Sequence, residues 1–303
     1  MNKRQKEELV RLAGKQVQFD CLMAPYTTFR VGGKVDGLYE AKDPGNLRRI
    51  ISYANKEHIP YLIVGKGSNL LVKDEGIEGL AILLRGSLAT IEQDKTDDLT
   101  ILAGAGLTIP ELLRYCRESG FGGLEFLAGI PGTVGGAVAM NAGAFGKEIG
   151  AFVLNTHVIT QGGDVVIKDP SQLKFSYRQL EIERWSVIIR VSLRLERESG
   201  EIVAERIAGC LKKRKESQPL AYPSAGSVFR NPQNDYAGRL VEKVGLKGKK
   251  IGGAMISDEH ANFIVNTGDA KAEDILALLC LAREKVRDET GVELLPEIQV
   301  VGR

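Results

Sequence analysis

Ala128-Gly129-Ile130-Pro131-Gly132-Thr133-Val134-Gly135-Gly136-Ala137-Val138-Ala139-Met140-Asn141-Ala142-Gly143-Ala144-Phe145-Gly146 holds six glycines and no charged side chain. Ordering glycine costs more backbone entropy than ordering any other residue, so the run is expensive unless the backbone itself is used. A plain loop is more polar, and the apolar residues here show little sustained periodicity. Two readings fit. Either backbone N–H groups approach a large planar or phosphorylated ligand, or the segment is a packed Gly/Ala turn region.

Sixty residues upstream, Val64-Gly65-Lys66-Gly67-Ser68-Asn69-Leu70 follows a short apolar strand at Tyr61–Val64. A strand ending in Gly-x-Gly can turn its N–H groups into an anion nest for a pyrophosphate, with Ser68 and Asn69 adding hydrogen bonds. It is neither a Walker A loop nor GxGxxG, because Leu70 stands where the third glycine belongs. A tight turn between strands explains it equally well. Taken as a pair, the two segments suggest one ligand with both a phosphate part and a flat part.

The chain has 303 residues, 43% hydrophobic and 26% charged, enough for two or three packed units. Glycine is the outlier at 35, concentrated near 65–67, 104–106, 120–150 and 245–253 without a three-residue period, which excludes collagen. Net charge is +2, and the most basic run, Lys212-Lys213-Arg214-Lys215, falls late in a helix. It reads as a solvated face at a helix C-terminus or as a polyanionic small-molecule site. No recognition-helix, finger or aromatic-platform pattern points to nucleic acid. Cys21, Cys116, Cys210 and Cys280 are scattered with no CxxC pair, which predicts free thiols in a reducing compartment. The first residues lack an apolar leader, and the longest apolar run, Ile275 to Ala282, is too short to span a bilayer. The expectation is a soluble, cytoplasmic, monomeric protein.

Local signals predict helices over 3–14, from Asp43-Pro44, from the capping box Thr108/Glu111 to Gly120, over 201–214, and from an Asp269 cap to Gly291. Strands are expected at 70–73, 80–84, 88–93, 99–103, within 152–194 including one long strand from Trp185 to Leu195, and at 297–301. Further loops and short strands are expected near 226–230, 251–257 and 261–265. The order is an α+β pattern of small mixed sheets, not a regular βαβ alternation.

Three further segments carry side-chain chemistry. Arg178, in Phe175-Ser176-Tyr177-Arg178, is either a surface arginine at a strand end or a fork held for a carboxylate. Ser227, beside Gly226 in Tyr222-Pro223-Ser224-Ala225-Gly226-Ser227-Val228-Phe229-Arg230-Asn231-Pro232, is a candidate nucleophile or proton donor. A Ser-His-Asp hydrolase is disfavoured: GxSxG is absent, and His58, His157 and His260 hold no telling position or metal-ligand spacing. Glu297, directly after Pro296, is a surface carboxylate or, if drawn inward, one with a raised pKa.

In order along the chain, Thr27-Thr28-Phe29-Arg30-Val31-Gly32-Gly33, Gly65-Lys66-Gly67-Ser68-Asn69-Leu70-Leu71-Val72, Ala128–Gly136, Asn141–Gly146, Tyr177-Arg178, Gly226–Pro232 and Pro296-Glu297 resemble the UDP-N-acetylenolpyruvoylglucosamine reductase family. Each motif alone is weak, but the ordered set from about 25 to 301 is specific. The resemblance implies an α+β fold: a two-part FAD-binding module of the vanillyl-alcohol-oxidase type at 1–100 and 101–200, then a smaller substrate-binding domain at 201–303. The compact C-terminal part resembles the shorter class of the family, without an extra substrate-covering insertion.

The resemblance also implies non-covalent FAD, since neither glycine-rich motif contains His or Cys, with NADPH as reductant and no metal. FAD would be held by Val64, Gly65, Lys66, Gly67, Ser68, Asn69, Leu70, Gly129, Ile130, Pro131, Gly132, Thr133, Gly135, Gly136, Ala137, Asn141, Gly143 and Gly146. The substrate would be UDP-N-acetylglucosamine enolpyruvate, contacted by Tyr177, Arg214 and Asn231. Its double bond takes hydride at C3, and Arg178 with protonated Glu297 carries the charge that develops on the conjugated carboxylate. Ser227 then donates a proton to C2 in a site sealed from water. Two rivals remain: another FAD oxidoreductase of the same fold, such as a sugar or hydroxy-acid oxidase, and a regulatory protein that binds flavin or nucleotide without turnover. Only the catalytic reading needs Arg178, Ser227 and Glu297 together.

Overall fold

Asp43 and Pro44 start a helix as their types dictate: the Asp43 carboxylate accepts from Asn46 N–H at 2.7 Å, and Pro44 takes the first position, where no N–H is needed. The helix Pro44–Lys56 buries Leu47, Ile50, Ile51 and Ala54, one face at helical spacing. This is the pattern that the computed structural model, describing residues 1–183 and 185–303, repeats through its first unit. The helix Lys3–Ala13 begins with an Asn2–Gln5 capping box, and Ile109–Ser119 with the Thr108–Glu111 box and a left-handed Gly120.

Two compact units are present. The first comprises Met1–Phe19, Gly37–Gly65 and Gly79–Lys212; the second comprises Asp20–Asp36, Lys66–Glu78 and Lys213–Arg303. One sheet runs in the order Val17–Leu22, Lys34–Ala41, Ile77–Leu84, Tyr61–Ile63, with the last two parallel. The other sheet of the first unit is antiparallel, in the order Val165–Lys168, Val153–Ile159, Val187–Arg194, Thr100–Gly104, Ile91–Gln93. Its central strand is apolar on both faces because both are covered: Val187, Ile188, Ile189, Val191 and Leu193 are all buried. Arg48 Nε donates to the Gly163 carbonyl at 2.6 Å, tying the helix Pro44–Lys56 to the hairpin of that second sheet.

In the second unit, Lys250–Ile251, Ala254–Ile256 and Ile264–Asn266 form an antiparallel sheet against the helix Ala272–Thr290, over a core of Phe29, Leu71, Phe229, Ile256, Ile275 and Leu278 among others. The strand Gln299–Val301 runs parallel to Leu70–Val72, so the chain's last strand supports the segment that follows Gly65-Lys66-Gly67.

Several local expectations shift. The last long helix starts at Ala272, not at an Asp269 cap. Its first amides, Ala272 and Glu273, donate to the Asp74 carboxylate at 3.0 and 2.9 Å. The long strand begins at Val187, because Trp185 has φ 64 and leaves the extended region. The 88–93 strand shrinks to Ile91–Gln93 behind a 3-10 turn at Gly86–Ala89. The final strand starts at Gln299, since Pro296 and Glu297 pair elsewhere. The helix expected over 201–214 extends to Gly200–Ser217. Near 245–253 the glycines serve turns: Gly245, Gly248 and Gly252 all have positive φ. All four cysteines are free, and burial pushes the Cys116 thiol up to about 12.

Candidate functional site

The glycine-rich run folds into a short helix, Val134–Ala139, capped by Thr133, whose hydroxyl accepts from Gly136 N–H at 3.4 Å. Backbone bonds fasten it to the 105–109 segment: Val134 N–H to Leu107 O and Gly135 N–H to Ala105 O, both 2.8 Å, and Ile109 N–H to Gly132 O at 3.0 Å. The approach is close enough that glycine is required. A Cβ on Gly135 would lie 2.7 Å from the Ala105 methyl, and one on Gly65 would lie 2.7 Å from the Thr133 hydroxyl. The strand end at Val64-Gly65 is thereby set against the helix start, two expected cofactor segments in contact.

Between them lies a mostly apolar cavity of about 130 Å³ bordered by Val64, Gly65, Gly106, Thr133, Gly136 and Ala139. Gly136 and Ala139, three residues apart on the helix, are exposed, and a Cβ on Gly136 would meet nothing nearer than Thr133 Oγ1 at 3.4 Å. A wall of small residues that leaves room at Gly136 and Ala139 fits a large flat cofactor. The volume is below the ~300 Å³ of a complete ligand pocket, so the cavity is one part of a cradle. Gly104-Ala105-Gly106 and the Ser186–Ile188 stretch, neither among the residues expected at the site, also border or support it. The glycine concentration at 104–106 was the available signal; Ser186–Ile188 carries none.

Asn141, expected among cofactor contacts, is 1% exposed and its amide is committed. Nδ2 donates to Glu148 Oε2 at 2.7 Å and to the Ser176 carbonyl at 2.9 Å, while Oδ1 accepts from Gly150 N–H at 3.0 Å. It thus joins the glycine run to the hairpin that bears Arg178. That hairpin, Lys174–Ser176 with Gln179–Glu181, turns through only Tyr177 and Arg178, and Arg178 sits at φ 58. A side chain in this region costs about 1–2 kcal/mol, which Gly or Asn would avoid. The guanidinium lies 5.0 Å from the Tyr177 ring centroid and borders Gly143, whose added Cβ would be 3.1 Å from Nη1. Gly143 and Glu148 belong to a second tight hairpin whose corner, Phe145-Gly146, has φ 53 and 78, and Phe145 is half exposed. Gly129 has φ 80, and Ile130, Pro131 and Ala137 take up the rest of the run.

In the second unit, Gly67 has φ 62, and a Cβ there would lie 2.1 Å from the Tyr26 carbonyl. Thr28 N–H donates to Gly67 O at 3.3 Å, so the Thr27–Gly33 segment braces the loop, with Lys66 exposed and Ser68 and Asn69 partly exposed. Asn69 Nδ2 donates to the Glu297 carbonyl at 3.2 Å, and Gln299 N–H donates to Asn69 O at 2.9 Å. Glu297 N–H donates in turn to Val228 O at 2.8 Å, and Phe229 pairs with Pro296. The segments bearing Ser227 and Glu297 are therefore joined by one antiparallel pairing, in which Glu297 bonds Val228, the residue after Ser227; both are partly exposed, with Gly226 at φ 75 before the serine. Three motifs far apart in sequence meet there. Arg178 belongs to the first unit, and Arg214, half-buried, to the second. Asn231 caps the helix Ala237–Lys243 by accepting from Ala237 N–H at 3.0 Å, a structural task for a residue expected at the substrate. Tyr177 is exposed. Among the described residues no His/Cys/Asp/Glu group suits a metal ion, and no helix is long and apolar enough to cross a membrane.

Residues 35–168 match the FAD binding domain family, and residues 218–301 match the C-terminal domain of UDP-N-acetylenolpyruvoylglucosamine reductase. The chain is 43% identical over 281 residues to the UDP-N-acetylenolpyruvoylglucosamine reductase of Nitrosococcus oceani, covering 93% of each sequence. It is 38% identical over 300 residues to that of Anoxybacillus flavithermus, covering 98% of each. The crystal structure of the Thermus caldophilus UDP-N-acetylenolpyruvylglucosamine reductase superposes with a TM-score of 0.80 at 38% identity, over 93% of this chain and 98% of that one. With an FAD-binding module, a C-terminal substrate-binding domain and near full-length relatives of one kind, the chain belongs to the UDP-N-acetylenolpyruvoylglucosamine reductase family.

Proposed function

We propose that this chain reduces the enolpyruvyl double bond of UDP-N-acetylglucosamine enolpyruvate to UDP-N-acetylmuramate, with NADPH as reductant, in cytoplasmic peptidoglycan precursor synthesis and as a monomer. The observation that carries the proposal is the meeting of Asn69, Ser227 and Glu297 through the backbone pairing of 228–229 with 296–297. Bound non-covalently, FAD supplies the relay of hydride from NADPH to the substrate C3. The side chains supply the rest. Arg178 pairs its planar fork with the substrate carboxylate and stabilises the charge that develops there. Glu297, protonated, shares that charge through a hydrogen bond. Ser227, whose hydroxyl takes no hydrogen bond among the described residues, donates its proton to C2.

Within the same proposal, Tyr177, Arg214 and Asn231 contact the sugar nucleotide, and the functional division is 1–100, 101–200 and 201–303. The two separate sheets of the first unit support splitting its cofactor module in two. The test is NADPH oxidation by FAD-loaded protein with and without the enolpyruvyl compound. Oxidation that depends on it supports the proposal. Rapid oxygen consumption with an alcohol and no need for NADPH would replace it with the oxidase reading.

A further inference from the structure

A chain of hydrogen bonds in the second unit runs from one imidazole to the segment that bears Ser227. His260 Nδ1 accepts from the Asn262 N–H at 3.1 Å. The Asn262 side chain holds Phe229 at both backbone polar atoms, accepting from its N–H at 3.0 Å and donating to its carbonyl at 2.8 Å. The Asn262 carbonyl accepts from Val228 N–H at 2.9 Å, and Ser227 itself bridges to Phe263. Asn262 is 3% exposed, so water does not readily replace a bond it loses. The ring is fixed on its other sides. Its centroid is 5.0 Å from that of Phe263, Gly238 leaves room for Cε1, and Ser257 Oγ accepts from His260 N–H at 3.3 Å.

We infer that His260 is a positioning residue for proton delivery by Ser227: the neutral imidazole, acting through Asn262, holds the 227–229 segment in register, and protonation at Nδ1 releases it. The inference rests on the proposed role of Ser227. Nδ1 accepts a hydrogen bond only while it carries no proton, which assigns the proton of the neutral ring to Nε2. The imidazolium would set N–H against N–H, and the turn from 260 to 262 would have to open.

The charged surroundings do not oppose this. Burial holds the His260 pKa below its ordinary value; the ring's own backbone hydrogen bond acts against that, Lys247 lowers it further and Glu242 raises it. Lys247 and Glu242 are themselves paired at 3.1 Å, so their fields at the ring largely cancel. Helix Ala237–Lys243 also brings Lys243 and Arg239, the latter paired with Asp235, and the ring's own loop brings Asp258 and Glu259. A lowered folded-state value means the bond is intact at neutral pH and is lost only as pH falls through the depressed folded-state value, beneath the ordinary imidazole range.

The test uses FAD-loaded full-length protein and two variants. In His260→Asn, Oδ1 replaces Nδ1 as acceptor for the N–H two residues on, as in an Asx turn, and does not titrate. In His260→Ala the acceptor is gone. Flavin reoxidation by the enolpyruvyl compound is followed from about pH 8 to about pH 5.5 in single turnover. The expected result is an acid limb in the wild type that H260N lacks, and a rate in H260A about five- to tenfold lower even at the upper pH, with NADPH reduction of flavin alike in all three. An H260N profile with the wild-type acid limb, or H260A at the wild-type rate, would overturn the inference. Amide exchange of peptides covering 226–230 gives a readout independent of chemistry. At about pH 5.5, exchange should be fastest in H260A and slowest in H260N; equal protection in all three overturns the linkage. If the wild type shows no reoxidation that depends on the enolpyruvyl compound while the exchange order holds, the proposed function falls and the His260–Asn262 linkage stands.

Discussion

Gly135 and Gly136 are adjacent in one short helix, yet the structure gives them opposite reasons to be glycine. A methyl on Gly135 would come within 2.7 Å of the Ala105 methyl and 3.1 Å of its carbonyl. Carbon contacts settle near 3.5–4.0 Å, so the helix would have to retreat by about 1 Å from the strand that anchors it. Such overpacking costs about 1–3 kcal/mol, partly offset by the ~1 kcal/mol that alanine gains over glycine in a helix. Gly135→Ala should therefore lower the stability of the apoprotein by up to about 2 kcal/mol. Gly136→Ala meets only Thr133 Oγ1 at 3.4 Å and keeps the helix gain, so its apoprotein should be as stable as the wild type or slightly more so. Its new methyl points into the cavity, at the surface assigned to the flat cofactor, and flavin affinity should fall about tenfold or more. Calorimetry on the apoproteins should separate the variants by about 2–6 °C, and flavin fluorescence titration should rank their affinities. Wild-type flavin affinity in Gly136→Ala, together with a stability loss like that of Gly135→Ala, would show that both glycines serve packing and that the cavity is not the cofactor's.

Ser227→Ala should leave flavin reduction by NADPH intact and slow reoxidation by the enolpyruvyl compound about 10²-fold or more; equal loss in both half-reactions in stopped flow would remove it as a specific proton donor. Arg178→Lys should fail to restore turnover, because a point charge does not replace the fork, and near wild-type kcat would count against pairing with a carboxylate. Arg178→Gly should instead raise the melting temperature, since glycine relieves about 1 kcal/mol of strain at φ 58, and should abolish turnover; a lower melting temperature would mean the guanidinium is a structural tie. Asp74→Ala leaves the first amides of Ala272–Thr290 without their acceptor and should cost about 1 kcal/mol, seen as earlier denaturant unfolding with an unchanged slope.

Asp43-Pro44, the Thr108–Glu111 box and Gly291 were legible in the sequence because a cap is a local event, decided within four residues. Asp269 misled for the converse reason. It has the right type three residues before the helix, but the acceptor that the helix uses is Asp74, nearly two hundred residues away and invisible to any local rule. The glycine run was legible as a segment that must be used by its backbone, but not as which glycine meets protein and which meets ligand. That distinction depends on Ala105, which a Cβ on Gly135 would meet at 2.7 Å, while one on Gly136 would meet nothing nearer than 3.4 Å. Asn141 looked like a polar contact in an apolar loop. Its side-chain amide is hydrogen-bonded to Glu148, Ser176 and Gly150, partners beyond the reach of a cap or turn rule, though far nearer in sequence than Asp74 is to its helix.

Of the seven non-glycine residues with positive φ among the described residues, three gather where the proposed chemistry is. Asn141, Phe145 and Arg178 all have positive φ, and the last two stand at two-residue corners that Asn-Gly or Gly would fill at no cost. A turn that only had to reverse the chain would shed that strain by a single substitution. Holding Arg178 there makes sense if its guanidinium must emerge beside Gly143 at the edge of the glycine run, where a longer and more relaxed loop would let it wander. The same reasoning separates Arg178 from Arg239, which reaches Asp235 from within a relaxed helix and needs no unusual backbone to do so. Strain alone marks two arginines, Arg30 at φ 57 and Arg178 at φ 58, and of these Arg178 is the one at a hairpin corner beside Gly143, where a fixed direction serves pairing with a planar carboxylate.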